Sequence, residues 1–176
     1  MTHMAKPHAS FTELVERHRV ELLAYARRLL GHEQDAQDVC QDALLRACRA
    51  FGRLSHDANG RAWLYKIVTN TALNAMRRRK SRTAPIADVG IDNLPSSAVL
   101  RSDRSGQLAV IGEAVYRLPA KQRAALMQRH FHGLEYAEIA LSLGCSEESA
   151  RANVYQAIKK LRATLGDRGE RQPPSL

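Results

Sequence analysis

Aromatic residues are scarce in this chain. Phe, Tyr and Trp make up 5% of its 176 residues, and there is one tryptophan. With few β-branched runs and abundant Ala, Leu, Arg and Glu, the composition disfavours sheets and favours helices. Cysteine is sparse as well. Cys40, Cys48 and Cys145 are an odd number, which excludes a disulfide framework and fits small buried residues in a reducing compartment. No apolar run approaches the roughly 20 residues of a membrane-spanning helix. The opening MTHMAKPHAS lacks the apolar core of a signal peptide, so a cytoplasmic protein is expected. There is no phosphate-binding glycine loop, no nucleophile elbow and no carboxylate pair placed for acid–base work. His130 and His132, two apart, with Cys145 further on, match no common zinc spacing and are read as decorating a helix end. No metal, cofactor or catalytic residue is expected, and the chain is read as a non-enzyme.

What is present in excess is positive charge. The net charge of +9 points to nucleic acid, with a membrane surface as the competing partner. Hydrophobic residues at 44% and charged residues at 26% suit a folded chain of one medium or two small domains. Helical spacing begins at Phe11 and runs through Leu14, Val15, His18, Leu22, Tyr25, Ala26 and Leu29 until Gly31 stops it. A second helix is predicted from about Gln34 to Phe51, then a loop from Gly52 to Gly60. A third helix from about Arg61 to Lys80 has Leu64, Ile67, Val68, Thr71, Ala72 and Ala75 on its apolar face. Residues 81–105 hold two prolines, many small or polar residues, and no Lys or Arg between Arg82 and Arg101. That stretch reads as a linker. Helical pattern resumes near Gln107 and continues to Leu165, with Pro119 opening a helix in its first turn.

The expected architecture is therefore all-α. A leader (1–10) precedes a helical domain (11–80), a flexible linker (81–106), a second helical domain (107–165) and a disordered tail (166–176). Residues 1–80 carry net +6 and residues 106–176 net +3, while the connector is neutral. Two basic modules touching one polyanion fit that distribution.

Three surfaces stand out. In LEYAEIALSLGCSEESARANVYQAIKKLR (134–162), a helix from Tyr136 to Leu143 turns inward Ile139, Ala140 and Leu143, and Gly144 supplies a sharp turn. Ser146 is a suitable N-cap, and Glu147 and Glu148 suit the positive end of the next helix. That helix buries Ala150, Val154, Ala157, Ile158 and Leu161, and presents Glu148, Arg151, Ala152, Tyr155, Gln156 and Lys159. This is helix-turn-helix spacing, with Arg151 placed to read guanine, Gln156 adenine, and Lys159 to hold phosphate. An ordinary helical hairpin is the bland alternative. The second surface is a stripe on the third helix, Trp63, Lys66, Asn70, Asn74 and Arg77, stepping by 3, 4, 4 and 3. It offers a stacking plane, amides and cations for unstacked bases, unless Trp63 simply packs against a neighbour. The third is acidic. DAQDVCQD puts Asp35, Asp38 and Asp42 on one helix side, where helix-dipole effects and an Asp42–Arg46 pair offer a local explanation. On a basic protein the stripe makes more sense as a dock for a basic protein surface.

Together, DAQDVCQDALLRACRAF, GRAWLYKIVTNTALNAMRRRK, a linker, and LPAKQRAALMQRHFHGLEYAEIALSLGCSEESARANVYQAIKKLR resemble the extracytoplasmic-function (ECF, group IV) sigma factors of the sigma-70 family, over about residues 10–165. The resemblance implies region 2 in residues 10–80 and region 4 in residues 107–165. It implies that Asp35, Asp38, Gln41 and Asp42 dock on the clamp coiled coil of the largest catalytic subunit of core RNA polymerase. It implies that the Trp63 to Arg77 stripe handles the promoter −10 element, with Asn70 and Asn74 near a flipped base, and that the helix carrying Arg151 reads the −35 element. The linker would run toward the RNA exit path, and an anti-sigma factor is an expected partner. This chain has Asn153 and Gln156 where relatives often carry Arg, and its Glu147–Glu148 pair is more acidic than theirs. A free-standing helix-turn-helix regulator is the alternative. It would bind duplex DNA without polymerase and would leave the Trp63/Asn70/Asn74 stripe without a role.

Overall fold

The computed structural model describes residues 10–55, 57–82 and 105–169. Among them are seven α-helices and no strand: α1 (Phe11–Leu30), α2 (Glu33–Ala50), α3 (Gly60–Arg82), α4 (Ser105–Tyr116), α5 (Ala120–His132), α6 (Tyr136–Leu143) and α7 (Glu147–Gly169). A single 3-10 turn, Phe51–Arg53, follows α2. The leader at 1–9, the linker at 83–104 and the end of the tail at 170–176 lie outside the described residues. Their expected edges move inward: α3 runs on to Arg82, α4 starts at Ser105, and α7 extends to Gly169.

Local chemistry sets the helix ends. Ser10 and Glu13 form a reciprocal capping box at the start of α1, satisfying two N–H groups that have no partner inside the helix. Gly31 ends α1 at φ 76 and Gly144 ends α6 at φ 61, a left-handed conformation in which a Cβ is strained. Pro119 stands one residue ahead of α5, at the N-cap position rather than inside the first turn.

The two halves do not bury separate cores. One continuous apolar cluster runs from Leu22, Ala26 and Leu29 of α1, through Ala43 of α2 and Val68 of α3, into Ala125 of α5, Ile139 of α6 and Val154 of α7. A smaller cluster of Leu118, Leu126 and Ala157 closes the α4–α5–α7 end. The seam between the halves is where α3 lies against α6 and α1 against α5.

Candidate nucleic-acid interface and acidic docking face

The α7 face forms as its spacing requires. Ser146 Oγ accepts from Ser149 N at 3.1 Å and starts the helix. Ala150, Val154 and Ala157 are buried beneath it, and Ile158 and Leu161 are half-buried. Glu148, Arg151, Ala152, Tyr155, Gln156 and Lys159 are all exposed. Arg151 is nevertheless not loose. Its Nη2 donates to Glu147 Oε1 at 2.5 Å, and its guanidinium carbon lies 4.4 Å from the centre of the Tyr136 ring. Arg129 lies 4.8 Å from the same ring.

On α3, Lys66, Asn70, Asn74 and Arg77 are exposed along one side. Trp63 departs from the expectation of an exposed stacking plane. It is half-buried, packs on the core, and its ring centre lies 6.3 Å from that of Phe51. The stripe also runs beside the seam: Lys66 borders a cleft formed by Ala137, Ala140, Gly144, Cys145 and Glu147 of the helix-turn-helix.

The acidic face is only partly free. Asp42 accepts from Arg46 Nε at 3.0 Å one turn on. Asp35 reaches across to Arg79 of α3 at 3.0 Å, a pairing that spacing along α2 could not reveal. Asp38 and Gln41 are exposed. Leu45, 54% exposed, follows Asp38, Gln41 and Asp42 on the same helical face and ends the stripe with an apolar side chain. Its position at i+3 and i+4 from that stripe was the available signal. Beside this face lies a groove of about 1150 Å³, lined by the three aspartates together with Arg77 to Lys80 and Lys121.

Sequence reasoning missed the middle of the seam. Gln128 of α5 is fully buried. Its Nε2 lies 2.9 Å from Tyr25 Oη, 3.0 Å from Thr69 Oγ1 and 2.7 Å from Ser142 Oγ. An amide has two hydrogens to donate, so the hydroxyls also serve one another: Thr69 Oγ1 is 3.0 Å from Tyr25 Oη and 3.1 Å from Ser142 Oγ. Four residues from α1, α3, α5 and α6 thus form one buried polar cluster. Burial pushes the Tyr25 hydroxyl up to about 12, against the opposing pull of Thr69 and Gln128, so it stays neutral.

His132 lies at the same seam and is buried, contrary to the expectation that it decorates a helix end. Its ring stands 5.5 Å from Tyr25 and 5.8 Å from Tyr65. Burial, with Arg28 and Arg61 nearby, lowers its pKa to about 4 despite Glu21. His130 remains exposed. Arg61 binds Glu21 through two nitrogens, at 3.0 and 2.9 Å, and donates to the His132 carbonyl at 2.6 Å. Burial alone would raise the Glu21 carboxyl, but Arg61 and His18 outweigh it and hold it below its usual value.

All-α halves in this order, the second ending in a helix-turn-helix, define a class of two-part helical proteins. The chain matches the family model for sigma-70 region 2 over residues 14–82 and that for sigma-70 region 4 over residues 108–161. It is 34% identical to the ECF RNA polymerase sigma factor SigM of Mycobacterium tuberculosis, over 93% of this chain and 81% of that protein. It is 31% identical to the RNA polymerase sigma-H factor of Pseudomonas aeruginosa, over 89% and 86%. A chain of the co-crystal structure of the sigma factor RpoE with the anti-sigma factor NepR from Bartonella quintana superposes with a TM-score of 0.69 at 25% identity, over 89% of this chain and 96% of that one. A chain of the structure of CnrH with the cytosolic domain of CnrY gives 0.65 at 26%, over 89% and 88%. The chain belongs to the ECF sigma factors of the sigma-70 family.

Proposed function

We propose that this sigma factor works in the cytoplasm as the promoter-reading subunit of RNA polymerase, and that it acts by binding alone, with no catalytic residue, metal or cofactor. The observation that carries the reading is an exposed acidic face on a basic chain. Asp38, Gln41 and Asp42, with Asp35 at one end and Leu45 at the other, suit a basic coiled coil of core polymerase. The α7 face suits the −35 major groove. On α3, Lys66, Asn70, Asn74 and Arg77 suit the −10 strand, with Trp63 supporting from beneath rather than stacking in the open. Opening the duplex then rests on capturing unstacked bases, which must offset a few kcal/mol per flipped base.

The closed arrangement of the halves bears on regulation. Elements named −10 and −35 lie about 25 base pairs apart, on the order of 80 Å at about 3.4 Å per pair. In the closed chain Thr69 on α3 touches Ser142 on α6 at 3.1 Å. The halves must part before both elements are read at once. An anti-sigma factor that held them together would keep the chain off promoters. The likeness to chains crystallised with NepR and CnrY supports such a partner.

The test is binding to core polymerase, with a promoter duplex added with and without core. Asp38→Arg combined with Asp42→Arg should abolish core binding and leave the circular dichroism spectrum intact, because like charges facing each other cost several kcal/mol. Tight duplex binding by the free chain, with no affinity for core, would establish the free-standing regulator instead.

A further inference from the structure

A base-reading arginine has to bring its fork to the groove edge, and on a long flexible side chain this costs rotamer entropy. Arg151 is already placed. Tyr136, from the other helix of the motif, lies under its guanidinium at 4.4 Å, which leaves the edge of the fork for hydrogen bonds. Glu147 holds one nitrogen of that edge at 2.5 Å. An exposed i,i+4 pair is ordinary taken alone. Two features here are not. The same guanidinium is fixed from two directions, and the carboxylate stands in the first turn of a helix whose outer face meets phosphates, where a negative charge weakens binding.

We propose that Glu147 and Tyr136 are specificity-determining residues that act through Arg151. Tyr136 holds the guanidinium in its reading pose, and Glu147 competes for its edge. A base other than guanine offers Arg151 one acceptor and does not displace a carboxylate that is already bonded, so the pair stays intact and only that one weak contact is forgone. Guanine offers two acceptors, O6 and N7, in one plane, and displaces it, so its contact is made at the expense of the pair. Glu147 therefore lowers affinity for every duplex, and lowers it most where guanine stands opposite Arg151. It narrows the preference that Arg151 would otherwise show and keeps this reader tolerant of other bases.

The inference rests on the −35 assignment of α7, and the experiment separates the two. Holoenzyme assembled from full-length chain and core polymerase is used to select from duplexes that have a fixed −10 region and a randomised −35 segment, and the bound pool is sequenced. The unmodified chain should enrich guanine at one position. Glu147→Gln should retain more total duplex and gain about tenfold in that guanine preference, the scale of one bidentate contact. Arg151→Ala should remove the preference, and adding Glu147→Gln to it should change nothing further at that position. Tyr136→Phe should keep the preference, and Tyr136→Leu should lose several-fold of it with an unchanged circular dichroism spectrum. An unchanged pool for Glu147→Gln would overturn the inference. So would an equal effect of that substitution in the Arg151→Ala background. No enrichment by the unmodified chain would overturn the −35 assignment itself, and this inference with it.

Discussion

The two faces proposed for DNA are built on helices of equal length, 23 residues each, but they differ in what lies beside them. The α7 face is complete. All six of its expected contact residues are exposed, and its cap, Ser146, belongs to the same half. The α3 face runs along the seam. Its Trp63 is tucked beside Phe51, its Lys66 borders a cleft of the other half, and Thr69, next to Asn70, is bonded into the buried cluster. In the closed chain one proposed reader is presented, while the other shares its helix with the contact that holds the halves together. On the proposed assignment, opening the seam should affect the −10 face more than the −35 face.

Breaking the seam at Gln128 should have the largest effect. Gln128→Ala leaves three buried hydroxyls short of a partner and opens a cavity. Together these should cost about 3 kcal/mol, read as a lower urea midpoint. If the halves part before they unfold, small-angle scattering will show a larger particle at unchanged helicity. Single-stranded −10 oligonucleotide will then bind the free chain more tightly, while duplex −35 binding stays the same. An unchanged midpoint would mean that the shared apolar cluster alone holds the seam.

The next effect is one of pH. The folded state keeps His132 neutral down to about 4, against an ordinary value of 6.5. Between those values the unfolded chain binds a proton that the folded chain refuses. Stability is therefore full above about pH 6.5 and falls as pH drops toward 4, no more steeply than about 1.4 kcal/mol per pH unit. The ring's Nε2 has no hydrogen-bond partner, so His132→Phe should flatten that window in a series of melts. Glu21, whose carboxyl is held low, loses its contribution only further into acid. An equal slope in the His132→Phe chain would assign the effect elsewhere.

These two predictions concern residues that the sequence does not advertise. The helices, their glycine stops and the helix-turn-helix were legible because each is written within one stretch. Apolar residues recur every three or four positions, Gly144 marks the turn, and Ser146 marks the start. The seam is written across the chain. Gln128 meets Tyr25 from 103 positions away and Thr69 from 59. A glutamine on a helix also reads as solvent-facing until its partners are seen. Arg123 misleads in the same way, being 2% exposed because its guanidinium sits 4.3 Å over Tyr116 and donates to that residue's carbonyl. Trp63 was misplaced for the opposite reason: its stripe was regular, but the 3-10 turn that brings Phe51 against it leaves no periodic trace.

The α7 side of the comparison is sharpened by Gln156. It is exposed on the outer side of α7. Gln156→Ala should change unfolding free energy by less than about 0.5 kcal/mol and alter preference at one −35 position by about tenfold, with core binding unaffected. Altered core binding would mean that α7 faces polymerase rather than DNA.

The smallest predicted difference lies in how the two reading helices start. Ser146 Oγ caps α7 by accepting from Ser149 N at 3.1 Å, and its own second bond, to Ser149 Oγ at 2.9 Å, stays within the same turn. Asn59 caps α3, its Oδ1 accepting from Ala62 N at 3.0 Å, while its Nδ2 donates to Glu138 Oε1 of the other half at 2.7 Å. Ser146→Ala should cost about 1 kcal/mol, the usual loss of an N-cap. Asn59→Ala should cost that and a few tenths more, because its second bond is exposed and crosses the seam. The excess should vanish when Glu138 is already Ala, since Glu138 has then left the seam and both substitutions remove only a cap. An excess that persists without Glu138 would place it within α3, and the start of the −10 helix would then be as independent of the other half as the start of α7.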